Sequence, residues 1–358
     1  MLSLDELHRY KRQIVLPEFG LEGQKKLKNS SVFIAGAGGL GSPLSLYLVA
    51  AGIGRIGIAD FDTVDKTNLQ RQILFGEAEL GKNKAAIAAE KLKNLNPNVA
   101  VEFYTEGVTE KNIMPMITGY DVIADATDNF SARYLINDAC VILNKPLVSG
   151  SVYKHEGTLT VYNYNNGPCL RCVYPAMGKK TIIQSCADAG VIGSVTGVIG
   201  SLQAGDILKL ITGMGNVLSG RTLVFDSLQP EFHEFIHKRA CVGKCSRIKS
   251  IESENYTCEI VRDVVEISPR VLKEKLNSKH TGLFLIDLRE NAEEGIPGSL
   301  KIARKDLQSR MEEFRQKEII LYCDIGIRSE LAAKELLEQG IDAKSLSGGY
   351  YDWLSFSG

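Results

Sequence analysis

Net charge is almost missing from the 358 residues: 42 Lys and Arg stand against 43 Asp and Glu, leaving −1. That removes the bulk electrostatic case for binding nucleic acid or an anionic membrane. No stretch of about 18 residues is free of charged or polar breaks, so no membrane span is expected. The apolar, glycine-rich stretch 191–214 contains Asp206 and Lys209 and reads as a buried helix of a soluble protein. The opening MLSLDELHRYKRQIVL lacks the unbroken apolar core of a secretion signal, and a cytoplasmic location is the expectation. Internal repeats and low-complexity tracts are missing as well. What is present is an apolar fraction of 44 %, enough for sizeable cores, and a length that suggests two domains. Cysteine is plentiful, at positions 140, 169, 172, 186, 241, 245, 258 and 323. In a reducing compartment such clustering favours metal or thiol chemistry over structural disulfides.

Apolar runs alternate with helical periodicity through the first 150 residues. SVFIAG, RIGIAD, VAVEFY, YDVIAD and KPLVSG read as strands; SPLSLYLVAAG, NKAAIAAEKLKNL, TEKNIMPMI and SARYLINDACVIL read as helices. This order implies βαβ units and a mainly parallel sheet. GTLTVYNYNNG then reads as an antiparallel strand and turn. After a poorly patterned segment, a second βα alternation runs from Val264 through LFLIDLRE, EIILYCD and SELAAKELLEQG. The fold class is therefore α/β: a Rossmann-like, mainly parallel sheet with an antiparallel extension over 1–250, a linker over 251–262, and a small α/β domain over 263–358.

FIAGAGGLGS, residues 33–42, places Gly36, Gly38, Gly39 and Gly41 between a strand and a helix. Such a turn brings backbone amides and a helix N-terminus to a phosphate group. By itself it leaves open a dinucleotide, another nucleotide or a packing turn. Asp60, at the end of RIGIAD, suits ribose hydroxyls. DFDTVDKTNLQRQ adds Asn68, Arg71 and Gln72, and GKNKAA puts Lys84 at a helix start. A triphosphate needs such cations more than a dinucleotide does. DATDN sets Asp125 and Asp128 at the end of the fourth strand, where a carboxylate can hold Mg²⁺. Together these residues favour ATP.

RYKRQIVLPEFG, GAGGLGS, DFDTVDKTNLQRQ, GKNKA, DATDN and GVIGSLQAGDILKLI closely resemble the ubiquitin-activating-like adenylyltransferases of the MoeB and ThiF type, over roughly residues 5–245. The resemblance implies adenylation of the C-terminal glycine of a small ubiquitin-like sulfur carrier, with ATP and Mg²⁺, and release of pyrophosphate. It implies that Gly39, Asp60, Asn68, Arg71, Lys84, Asp128 and Asn129 contact the nucleotide and that Asp128 takes the metal. It also implies a symmetric homodimer in which Arg12 reaches the nucleotide from the partner subunit.

CLRC and CVGKC give the pairs Cys169/Cys172 and Cys241/Cys245, which can complete a tetrahedral Zn²⁺ site; the alternative is a redox CxxC or two unrelated pairs. The resembled family has a structural zinc, but its second pair is usually CxxC, one residue shorter than here. Cys186, in QSCADAGVIG, sits near a helix N-terminus, where a thiolate is favoured. In relatives the cysteine there can link covalently to the carrier; the plain alternative is a free loop cysteine. Cys140 reads as core, and Cys258 has no partner motif.

YCDIGIRSELAAKELLEQG ends a strand at Cys323 and starts a helix near Ser329. Loop amides and the helix N-terminus would surround the sulfur and favour an anion there, with Arg328 closing the loop. With FLIDLRE, IPGS and LSGGYYDW around it, the segment 263–356 resembles the rhodanese domain. Six residues from Cys323 to Arg328 suit a persulfide. Gly295 stands where that family usually has histidine, and Trp353 reads as core. The two resemblances imply one enzyme: carrier adenylation followed by sulfur transfer from Cys323 to give a thiocarboxylate, feeding molybdopterin, thiamine or tRNA thiolation. The sulfur donor would be a protein such as a cysteine desulfurase. Two readings compete: a conjugation enzyme forming a thioester at Cys186, and a scaffold of two inactive domains.

Overall fold

The computed structural model describes residues 2–174, 190–239, 248, 250–251, 266–277, 282–289, 294–315, 317–324 and 326–357. Cys186, Cys241, Cys245, Cys258 and all of the 251–262 segment except Ile251 lie outside the described residues. The chain forms two compact units, Met1–Cys258 and Glu259–Gly358.

The first unit is built on eight strands: β1 (Ser31–Ala35), β2 (Arg55–Ala59), β3 (Ala100–Tyr104), β4 (Val122–Asp125), β5 (Leu147–Tyr153), β6 (Glu156–Tyr162), β7 (Arg221–Asp226) and β8 (Glu231–Ile236). They form one sheet in the order β3-β2-β1-β4-β5-β6-β7-β8. The first five are parallel, and β6, β7 and β8 continue it antiparallel. Every residue of β1 and β4 is buried, as expected of strands covered on both faces. One face packs against the helices Gly41–Ala51, Lys84–Leu95 and Gly193–Thr212 through Leu44, Leu48, Leu92 and Ile199. The other packs against Ile113–Thr118 and Phe130–Ile142 through Ile117, Leu135 and Ile136. Cys140 lies in this second core, and burial pushes its thiol well above the ordinary range. No helix among the described residues is long and apolar enough to cross a membrane.

The second unit holds β9 (Glu266–Ile267), β10 (Leu283–Asp287), β11 (Leu300–Lys301), β12 (Glu318–Tyr322) and β13 (Ala343–Leu346), all parallel, in the order β11-β10-β12-β13-β9. The alternation of β12 divides the core. Ile319, Leu321 and, just past the strand, Cys323 face the helix Ile327–Glu338; Ile320 and Tyr322 join Leu272 and Trp353 on the opposite face.

Candidate active site

A cavity of about 380 Å³ opens where β1, β2 and β4 end. In the sheet order this is the switch point between β1 and β4, where α/β sheets place their ligands. Gly36, Gly38, Gly39, Asp60, Arg71, Gln72, Lys84, Asp128 and Asn129 all line it. Gly36 has φ +98°, a conformation that favours glycine. A Cβ on Gly41 would fall 2.0 Å from the Gly36 carbonyl oxygen, so Gly41 serves the close approach of helix and turn rather than the cavity wall. Over Gly38 the nearest atom to a Cβ would be Gln72 Nε2 at 3.6 Å, which leaves room for a phosphate against the backbone.

Charge around the cavity is divided between committed and available groups. Asp60 accepts from the amides of Ala37 (2.8 Å) and Asp62 (2.9 Å). Burial nonetheless raises its pKa above the usual Asp value, against the pull of those amides and of Lys84. Lys84 is buried at the start of its helix, with Nζ 3.0 Å from Asp62. Arg71 donates to the Thr67 carbonyl (3.2 Å) and has no ion-pair partner among the described residues. Its backbone and that of Gln72 are fixed by amide bonds to the Asn68 carbonyl, at 3.1 and 2.9 Å. Asn68 itself does not line the cavity. Gln72 Oε1 is buried and without a donor among the described residues.

The two acids of DATDN are put to different uses. Asp125 is fully buried and saturated: it pairs with Arg133 (3.1 Å) and accepts from Ser149 (2.8 Å) and from the hydroxyl (2.6 Å) and amide (3.0 Å) of Thr127. Asp128 is exposed at the cavity, with no hydrogen bond or ion pair among the described residues. Asn129 caps the helix Phe130–Ile142 by accepting from the Ala132 amide (2.8 Å), which leaves its amide nitrogen to the cavity. A triphosphate fits this donor set. Mg²⁺ fits as well, because it needs only one or two carboxylates beside phosphate oxygens and water. Among the described residues no three His, Cys, Asp or Glu side chains gather for a metal. Arg12 is exposed on the short helix Lys11–Ile14 and does not line its own chain's cavity.

The sequence reading missed Arg133 and Thr196. Arg133 ties Asp125 to the carbonyls of Thr127 (3.1 Å) and Gly150 (3.3 Å). Thr196, from the helix Gly193–Thr212, closes over Gly39, whose Cβ would meet it at 3.1 Å. Arg133 lies only eight residues past Asp125, but on the helix that follows rather than in the strand-end motif, and Thr196 acts through a contact distant in sequence.

Burial raises the pKa of the Cys169 thiol, and its Sγ lies 3.8 Å from that of Cys172. That is too far for a disulfide between the two. It is the separation that two thiolates take on one tetrahedral zinc with Zn–S of about 2.3 Å.

In the second unit Cys323 is buried beneath a tight loop. Its carbonyl accepts from the Tyr350 amide (2.8 Å), and that of Asp324 accepts from Tyr351 (3.1 Å). These bonds turn the loop carbonyls toward the helix Gly349–Ser357. Gly349, at φ +63°, makes the approach possible: a Cβ there would lie 2.5 Å from the Cys323 oxygen and 2.6 Å from the Gly326 nitrogen. Arg328 spans the loop by an ion pair with Asp324. Gly295 sits against the Tyr322 hydroxyl, Ser299 Oγ and an Asp287 carboxylate oxygen, within 2.8–3.1 Å of where a Cβ would be, so a histidine there would have to displace these side-chain ends.

The sequence profile of the ThiF family matches residues 10–246, and that of the rhodanese-like domain matches 268–356. The chain belongs to the ThiF family. This ThiF-family enzyme unites an adenylation domain with a C-terminal rhodanese-like domain. It is 39 % identical over 389 residues to "Adenylyltransferase and sulfurtransferase MOCS3" of Drosophila sechellia, across 99 % of this chain and 84 % of that one. It is also 39 % identical over 386 residues to the protein of the same name from Anopheles gambiae, across 98 % and 87 %. The crystal structure of E. coli MccB with ATP matches at a TM-score of 0.58 and 26 % identity, over 65 % of this chain and 73 % of that one.

Proposed function

We propose that this enzyme adenylates the C-terminal glycine of a ubiquitin-like sulfur carrier ending in Gly-Gly, then converts it to a thiocarboxylate with sulfur carried on Cys323. The reading rests above all on one observation: Arg71 and Asp128, a cation and a carboxylate without ion-pair partners among the described residues, face one cavity over the glycine turn. The names of the MOCS3 relatives support the pairing with sulfur transfer.

In this reading the turn amides and the helix beginning at Gly41 bind phosphate, and the Asp60 carboxylate accepts from the ribose hydroxyls. A carrier carboxylate oxygen attacks the α-phosphorus, the bond to the β-phosphate breaks, and pyrophosphate leaves. Arg71, Lys84 and, in a homodimer, Arg12 of the partner subunit offset the charge that builds on the phosphates. Mg²⁺ at Asp128 would add to that neutralisation. The outer sulfur of a Cys323 persulfide, supplied by a donor such as a cysteine desulfurase, attacks the activated carbonyl and AMP departs. A second thiol, for which Cys186 is the candidate, attacks Cys323 Sγ of the acyl disulfide. The thiocarboxylate leaves, and the resulting disulfide is reduced by an external thiol. Cys169, Cys172, Cys241 and Cys245 would hold a structural Zn²⁺.

Cys323→Ala separates the two halves. It should keep carrier-dependent ATP–pyrophosphate exchange and lose thiocarboxylate, read by intact mass of the carrier. Loss of exchange as well would overturn the division of labour.

A further inference from the structure

Two hydroxyls lie buried beneath Cys323, and the sulfur-transfer reading gives neither of them work. Ser329, on the first turn of the helix Ile327–Glu338, and Ser345, on β13, are both fully buried. Ser329 Oγ is 2.7 Å from the Gly326 carbonyl oxygen, 2.9 Å from Ser345 Oγ and 3.7 Å from Cys323 Sγ, within hydrogen-bond reach of sulfur. Ser345 Oγ is 3.4 Å from the same carbonyl. Each hydroxyl has one proton to give. The shorter contact of Ser345 is the one to Ser329, so its proton is best directed there. Ser329 then has two destinations for its own proton: the Gly326 carbonyl and the sulfur. That carbonyl also accepts from the Glu330 amide at 3.0 Å, so it keeps a donor when Ser329 turns away.

We propose that Ser345 is a positioning residue for sulfur transfer: it occupies a Ser329 lone pair, polarises that hydroxyl, and so directs the Ser329 proton to the sulfur on Cys323 when the sulfur is anionic. With neutral Cys323 the Ser329 hydroxyl donates to the Gly326 carbonyl; with an anion its proton turns about the Cβ–Oγ bond to the sulfur, and no heavy atom moves. An anion close to an aligned hydroxyl chain gains from the whole chain, because each donor polarises the next. The inference rests on Cys323 as the sulfur carrier, and its test is kept separate from that reading.

The experiment follows alkylation of Cys323 in the full-length chain against pH, quantified on the peptide that contains it by mass spectrometry. Ser329→Ala should move the half-maximal pH upward by about one unit, a tenfold loss of anion at a given pH. Ser345→Ala should move it in the same direction by less, Ser345→Thr should restore it, and the double Ala variant should equal Ser329→Ala. Equal thermal melting of Ser345→Ala and Ser345→Thr guards against a packing effect. A shift in Ser329→Ala with none in Ser345→Ala overturns the role of Ser345, as does an additive double variant. If instead Cys323→Ala still yields thiocarboxylate, the sulfur-carrier reading fails while the hydroxyl chain is judged on alkylation alone.

Discussion

Replacing Gly349 by Ala tests whether the Cys323 loop is held in place by the helix behind it. Gly349 has φ +63°, and an L side chain there costs about 1–2 kcal/mol. The larger effect is steric. A Cβ would stand 2.5 Å from the Cys323 oxygen, where ordinary contact begins at 3.4 Å, so loop and helix must part by about 0.9 Å. Both neighbours are backbone, and neither can rotate aside. A displacement near 1 Å at a reacting group can cost about 100-fold in rate. We therefore expect sulfur transfer from thiosulfate to cyanide by the full-length chain to fall about 100-fold. Carrier-dependent ATP–pyrophosphate exchange, measured on the same preparation, should stay within about twofold of the parent. Sulfur transfer within threefold of the parent in a folded variant would refute the reasoning, and an equal fall in exchange would point to general misfolding.

The two acids of DATDN should respond in opposite ways. Asp128→Asn should lower the exchange rate by about 100-fold with an unchanged melting temperature, whereas Asp125→Asn leaves Arg133 buried and unpaired and should cost about 3–5 kcal/mol in denaturant unfolding. Nucleotide affinity should fall on acidification, with a midpoint above the 3.8 of an ordinary Asp, because Asp60 must be ionised to accept from ribose and burial raises its pKa. The sign for stability is opposite: a carboxyl whose pKa is raised in the fold favours the fold at low pH and loses that contribution as pH rises through the folded value. Asp60→Asn should therefore remove the acid limb from a nucleotide titration without removing a stabilising group at neutral pH. Purified under reducing conditions, the chain should contain about one Zn²⁺ per subunit by elemental analysis, and Cys169→Ser should lose it.

Much of the first unit was legible because β1, β2 and β4 are apolar runs, and helical segments such as Lys84–Leu95 and Phe130–Ile142 separate the strands with a period of their own. The distal edge was not. β8 reads EFHEFI, is exposed along its length, and among the described residues pairs with β7 alone, so no burial pattern marks it. Among the site residues, the glycines, Arg71 and Lys84 could be found because strand ends and helix starts carry them to one place. The difference between Asp125 and Asp128 could not be read, since it depends on Arg133 and Ser149 arriving from other elements. The Cys323 loop was legible as a strand–loop–helix, but its support by Gly349 comes from the far end of the unit.

The crowding at Gly295 constrains how this domain can change. Asp287, Arg289, Tyr322 and Ser299 form one hydrogen-bonded knot, and Tyr322 directly precedes Cys323. A histidine at position 295 could enter only if the Tyr322 hydroxyl and its partners gave way, which would cost the knot hydrogen bonds one residue before the sulfur. A histidine introduced here thus carries a hydrogen-bonding cost at the strand end that holds Cys323.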